Sequence, residues 1–175
     1  ESYHALAYRI YLYNLLRQSG QALQPKWGQQ FDFIYRHTPF NCGDFGTLAG
    51  FQSVLYFPGL ITNSGLQIYQ GYQVKNFTES HSFSNFVRFP RGFQGYQNNK
   101  MYSLAADYKI PLFYPDFSFG KLAYIKRIKC SFFYDWAWLS VPVTDENGII
   151  FPNSHEIKLQ SLGLEVTSDL HVLRF

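Results

Sequence analysis

The feature that most constrains this chain is a period of two in its apolar residues, sustained along most of its length. In residues 4–14, Leu6, Tyr8, Ile10 and Leu12 alternate with Ala5, Ala7, Arg9, Tyr11 and Tyr13. In residues 31–36, Phe31, Phe33 and Tyr35 oppose Asp32, Ile34 and Arg36. The pattern returns in 101–110, where Tyr102, Leu104, Ala106, Tyr108 and Ile110 oppose Ser103, Ala105, Asp107 and Lys109. In 128–136, Ile128, Cys130, Phe132, Tyr134 and Trp136 oppose Lys129, Ser131, Phe133 and Asp135. In 161–167, Leu162, Leu164 and Val166 oppose Ser161, Gly163, Glu165 and Thr167. Side chains of a strand alternate between its two faces, so each run predicts a strand with one apolar and one polar face.

Further strands are expected around 47–57 and 66–74. The turn signals PFNCGDFG (39–46), PGLITNSG (58–65) and DENG (145–148) separate the runs. Residues 14–28 read as a long loop with room for one helical turn, and NFTESHSFSN (76–85) as a polar loop. The count comes to roughly seven to nine strands, with no internal repeat and no linker that would divide the chain. All 175 residues are therefore assigned to one all-β, antiparallel domain.

Alternation alone fits a soluble sandwich as well as a membrane barrel, because either can turn a charged face to water. Composition tilts the balance. Aromatic residues make up 20% of the chain and charged residues only 15%, against about 25% charged in ordinary soluble domains. No run approaches the roughly 20 apolar residues of a membrane helix. Aromatic-rich, charge-poor strands with aliphatic centres are expected of a transmembrane β-barrel. The Lys and Arg residues behind the net charge of +3 are scattered, which excludes the basic stripe of a nucleic-acid binder. The opening ESYHAL has neither the basic start nor the apolar core of a signal peptide, so the chain is expected to be a mature product or a fragment.

Motifs for covalent chemistry are absent: no G-x-S-x-G, no H-E-x-x-H, no phosphate-binding G-x-x-x-x-G-K-[ST]. His4, His37, His81, His155 and His171 show no ligand spacing, and Cys42 and Cys130 form no C-x-x-C pair. Asn76-Phe77-Thr78 fits a glycosylation sequon, a short and common match. Glu165 with Asp107 or Asp135 would suit a paired-carboxylate hydrolase, but acids on a barrel's inner face are ordinary. The chain is read as no enzyme, with no catalytic residue, metal or cofactor.

One stretch breaks the pattern. FPRGFQGYQ (89–97) sets Arg91 between a proline that fixes the backbone and a glycine that frees it. Arg91 is either a solvated loop residue whose glycine makes a turn, or a charge aimed at a partner. An arginine presents five donors in a planar fork and can engage two carboxylates together. The polar faces of the next two strands offer Asp107 and Asp135.

Arg91-Gly92-Phe93, then Asp107-Tyr108, then Phe132-Phe133-Tyr134-Asp135, then LQSLGLEV (159–166) resemble, in order, the C-terminal part of the BamA-type outer-membrane assembly and secretion barrels, the bacterial surface antigen superfamily. The resemblance covers 86–175 well and 2–74 only in general character. YRHTPF (35–40) and LYFPGL (55–60) point to a divergent branch.

The resemblance implies that Arg91, Gly92 and Phe93 form a latch on a loop folded into the barrel lumen, with Asp107 and Asp135 as acceptors. It implies about sixteen strands in the whole barrel, half of them here, in a fragment of a longer chain. A complete eight-stranded barrel is the rival, since about eight strands can close. The implied function is inserting or translocating proteins at the bacterial outer membrane, or supporting such an assembly, with outer-membrane lipid or lipopolysaccharide and other outer-membrane or periplasmic proteins as partners. A barrel acting only as a surface-binding or scaffold subunit is one alternative. A complete eight-stranded barrel with a hydrolase site at its lumenal acids is the other.

Overall fold

A computed structural model describes residues 4–18, 22–39, 46–76, 82–94, 96–120, 123–144 and 150–172. Its elements are β1 (Leu6–Leu15), β2 (Gly28–His37), β3 (Leu48–Pro58), β4 (Gly65–Lys75), β5 (Lys100–Phe113), β6 (Phe117–Phe119), β7 (Ala123–Thr144) and β8 (Ile150–Val172). They form one antiparallel sheet in which β1 to β5, β7 and β8 follow one another as a meander. Short β6 pairs the beginning of β7.

The sheet does not close. Among the described residues β1 pairs only β2, and β8 pairs only β7. This corrects the rival expectation of a complete eight-stranded barrel: with both outer strands lacking a second neighbour, these strands form an open sheet. Nor is there a helical turn among the described residues between β1 and β2; Leu16 N–H instead donates to Trp27 O at 3.0 Å, extending the ladder into the loop. The 58–65 turn forms as expected, with Ser64 N–H on Ile61 O and Asn63 at positive φ. Cys42, His81, most of PFNCGDFG and DENG, and Phe77-Thr78 of the sequon lie outside the described residues.

The register carries the alternation across the whole sheet. Starting from Ile10 on β1, the pairs Ile10–Phe33, Phe33–Phe51, Phe51–Tyr72, Tyr72–Tyr102 and Tyr102–Trp138 keep to one face. That face also carries Tyr8, Leu12, Phe31, Tyr35, Leu55, Phe57, Leu66, Ile68, Leu104, Phe132, Tyr134, Leu162, Leu164 and Val166, with Ser53 paired to Gln70 as a polar step. No second layer covers it among the described residues: Leu162, Leu164 and Val166 are 81%, 56% and 60% exposed. We call it the open face.

The opposite face is covered by the loop between β4 and β5, and we call it the loop face. Here Val87 of the loop packs with Met101, Ala137, Leu139 and Leu159, flanked by Phe86, Phe89 and Phe93, to make a small apolar core. Loop and sheet approach closely. A Cβ on Gly71 would stand 2.7 Å from Val87 Cγ1, and one on Gly50 would stand 2.6 Å from the Phe86 ring. Glycine at those positions lets the loop lie down on the strands.

β7 and β8 run well past the expected 128–136 and 161–167, to 22 and 23 residues. The apolar alternation fades beyond the middle of the sheet, but these two strands pair chiefly with each other and need no apolar face to continue their ladder. The register slips between Pro142 and Val143, where proline supplies no N–H.

Candidate functional site: an arginine hook on the polar face

The hook begins as local backbone chemistry. Phe93 N–H donates to Pro90 O at 3.2 Å across Arg91 and Gly92, and Gly92 sits at φ +88°. A positive φ at the third position is what a type II turn demands, and glycine meets it without strain. Pro90 is fully buried beneath the turn, so the tip is held from below while Arg91 projects sideways.

Arg91 meets both acids. Its Nε and Nη2 donate to Asp135 Oδ2 and Oδ1 at 2.8 and 3.0 Å. Nη2 also donates to Asp107 Oδ1 at 2.6 Å, and the Arg91 backbone N–H donates to Asp135 Oδ2 at 3.0 Å. Glu165 Oε2 lies 3.9 Å from Nη1. The register explains the convergence. Asp107 pairs with Phe133 and Ala105 with Asp135, so the two acids are diagonal neighbours on the loop face. The side chains of Asp107 and Asp135 are 9% and 5% exposed, and that of Arg91 35%. Burial acts to lower the Arg91 pKa, but hydrogen bonds to Asp135 and Asp107 outweigh it, and the guanidinium is raised above its ordinary range.

Phe133 completes the seat. The guanidinium carbon lies 3.7 Å from its ring centroid, a cation–π contact. Across the strand pair, a Cβ on Gly163 would come within 2.5 Å of the Phe133 ring, so the ring lies over the space this glycine leaves. Phe93, grouped with the hook from sequence, closes the turn through its N–H and packs its ring against the apolar core.

A second set of contacts, not anticipated from sequence, holds the base of the loop. Gln73 is fully buried; its Oε1 accepts from the N–H groups of Phe86 and Val87, both at 2.8 Å. Its Nε2 donates to Asn85 Oδ1 at 2.7 Å and Asn98 Oδ1 at 3.0 Å. Lys75 Nζ also donates to Asn85 Oδ1, at 2.5 Å. The available signal was Gln73 and Lys75 on the polar parity of β4, facing a loop rich in asparagine.

The hook contacts belong to a separate belt that crosses the sheet. Arg9 of β1 donates through Nε to Asp32 Oδ1 of β2 at 2.8 Å, and Gln52 of β3 donates to Asp32 Oδ2 at 3.2 Å. Tyr69 of β4 donates to Gln52 Oε1 at 3.1 Å and accepts from the Arg88 N–H at 3.2 Å. The Arg88 guanidinium stacks on the Tyr69 ring at 4.0 Å, with Nη2 3.9 Å from Asp107 Oδ2. Arg91 carries the chain onward to β7.

The arrangement fixes a loop; it presents no nucleophile beside a base. No cluster of three or more His, Cys, Asp or Glu suited to a metal occurs among the described residues. Cys130 is buried with a free thiol. No family profile, characterised protein or solved structure matches this chain, so the family resemblance rests on its motif residues.

Proposed function

We propose that this sheet is a sector of a transmembrane β-barrel of the bacterial outer membrane, resembling the BamA-type superfamily, whose loop between β4 and β5 lies inside the lumen. The role that follows from that reading is insertion or translocation of proteins, or support of an assembly that performs it. The observation that carries the reading is Arg91, which reaches from the folded-in loop to Asp107 and Asp135 on two successive strands.

Three further features support it. The open face is apolar and uncovered across the meander, while the loop face holds the ion pairs, the polarity of a strand with lipid on one side and an aqueous lumen on the other. β1 to β4 are 10, 10, 11 and 11 residues long, and a tilted strand needs about 9–11 to cross a bilayer. Unpaired edges are untenable in lipid, so β1 and β8 need further strands, as in a barrel of about sixteen. Asp107 and Asp135 both serve as acceptors for one guanidinium, which favours a positioning role over acid–base work.

The test is reconstitution of the full-length protein into liposomes, followed by the folding rate of a urea-unfolded outer-membrane barrel added outside. Faster folding than in empty liposomes, lost with Arg91→Ala, is the expected result. Incorporation into liposomes without any acceleration would sink the insertase role and leave a scaffold barrel. Failure to enter liposomes at all would sink the membrane reading.

A further inference from the structure

The hook forms the roof of a cavity, with Arg91, Asp107 and Asp135 of the latch and Glu165 among its lining residues. It has a volume of about 420 Å³ and lies on the loop face, between Phe89 of the hook loop and Leu23 of the β1–β2 loop. The β1–β2 loop reaches it by crossing the sheet: Ala22 and Gln24 are buried, and Ala22 O accepts from Arg127 Nη1 of β7 at 3.1 Å.

The floor follows from the register. Lys109 pairs with Ser131, which pairs with Glu165; one step along, Lys129 pairs with Thr167. Lys109, Ser131, Lys129 and Thr167 all line the cavity. Two observations there lack an explanation within the protein. Ser131 is buried at 8% exposure, and its Oγ has no hydrogen-bond partner. Lys109 has no carboxylate within ion-pair distance among the described residues; its Nζ donates to the neutral Gln67 Oε1 at 2.9 Å.

The nearby acids are committed elsewhere. Asp107 and Asp135 hold Arg91, and Glu165 points toward it at 3.9 Å. Asp169 is shared between Lys129, at 2.9 Å, and Arg127. Together Arg88, Arg91, Lys109, Arg127 and Lys129 face Asp107, Asp135, Glu165 and Asp169, leaving one positive charge in excess.

We propose that this cavity binds a phosphate-bearing small molecule, with Lys109, Lys129 and the Ser131 hydroxyl as donors to the phosphate oxygens. Lysine ammonium groups act as point charges toward phosphate. Three donors on two adjacent strands can each serve one oxygen of a phosphate group. The space exceeds one phosphate group, so the ligand carries an organic part lying toward Leu23 and Phe89. The phosphate is that of a soluble ester or of a lipid headgroup, and the site stands independently of whether the protein inserts clients.

The test is calorimetric titration of the full-length protein in uncharged detergent with inorganic phosphate, glycerol 3-phosphate and micelle-dispersed phosphatidic acid. Saturable binding of at least one probe is expected, about tenfold weaker in Lys109→Gln and in Ser131→Ala, with unchanged circular dichroism. Glycerol 3-phosphate binding as tightly as phosphatidic acid identifies a soluble ester; phosphatidic acid binding alone identifies a lipid. No saturable binding, or equal affinity in both variants, overturns the site and leaves ordered water as the partner of Ser131.

Discussion

Replacing Arg91 by alanine removes three side-chain hydrogen bonds and the Phe133 contact, and strands two carboxylates that are 9% and 5% exposed. Breaking a fully buried pair costs about 3–5 kcal/mol. Arg91 keeps 35% of its surface in solvent, so water can partly re-solvate the acids, and about 1–3 kcal/mol is the better figure. At about 2 kcal/mol, the population of the opened loop rises roughly thirtyfold. Amide hydrogen exchange reads this directly, because Phe86, Val87, Arg88 and Phe93 each donate an N–H within the folded loop. Their exchange should accelerate by roughly ten- to a hundredfold in Arg91→Ala, while β2 and β3 amides stay protected. Arg91→Lys keeps the charge but loses the fork, and should fall in between. Unchanged exchange of the loop amides in Arg91→Ala would refute the latch, and would mean that Gln73 and the apolar core hold the loop unaided.

The two acceptors are unequal, and Asp135→Asn should loosen the loop more than Asp107→Asn by the same exchange measurement, since Asp135 accepts three of the four bonds from Arg91. Gln73→Leu leaves two loop N–H groups without acceptors; at about 1–3 kcal/mol each, it should destabilise the loop at least as much as Arg91→Ala, read as lower resistance to limited proteolysis. Gly92→Ala meets no neighbouring atom but forces alanine to φ +88°, a strain of about 1–2 kcal/mol, and should raise exchange at Phe93 most. Leu164→Arg, near the middle of β8 on the open face, should cost about 2–4 kcal/mol of folding stability in a bilayer; if the protein instead folds in buffer and this change leaves its stability untouched, the open face does not meet lipid.

Much of this architecture was legible because a period of two is its own register. Once Asp107 and Asp135 are assigned to the polar parity, an antiparallel pairing of their strands needs only the correct offset to bring them together. Arg91 was legible for a different reason: proline and glycine around one charge mark a shaped turn. What stayed hidden depended on where the loop would land. Met101, Leu139 and Leu159 share the parity of the polar residues, yet form an apolar core, because Val87 covers that end of the sheet. Gln73 looked like any polar residue of a strand, and its role exists only through loop amides brought to it by the fold. The ends of β7 and β8 were invisible because their ladder continues where the side-chain pattern stops.

The two faces also bear on the choice between a soluble sheet and a membrane sheet, which alternation could not make. A water-soluble single sheet hides its apolar face under a second layer and exposes its charges. Here the covering segment lies on the charged face, and the face left bare carries Phe33, Tyr72, Phe132, Tyr134, Leu162, Leu164 and Val166. The belt from Arg9 through Asp32, Gln52, Tyr69 and Arg88 to Asp107, Arg91 and Asp135 draws on every strand from β1 to β5 and on β7. Asp32, Asp107 and Asp135 are buried in this belt while Arg9 and Arg88 stay half exposed; burying three carboxylates is costly in an ordinary core, and the water-lined interior proposed above would lower that cost. The hook loop gains from the same arrangement. Its attachment is strong enough to hold a loop, while the exposed third of Arg91 leaves it reversible, as the lumenal role proposed for it requires.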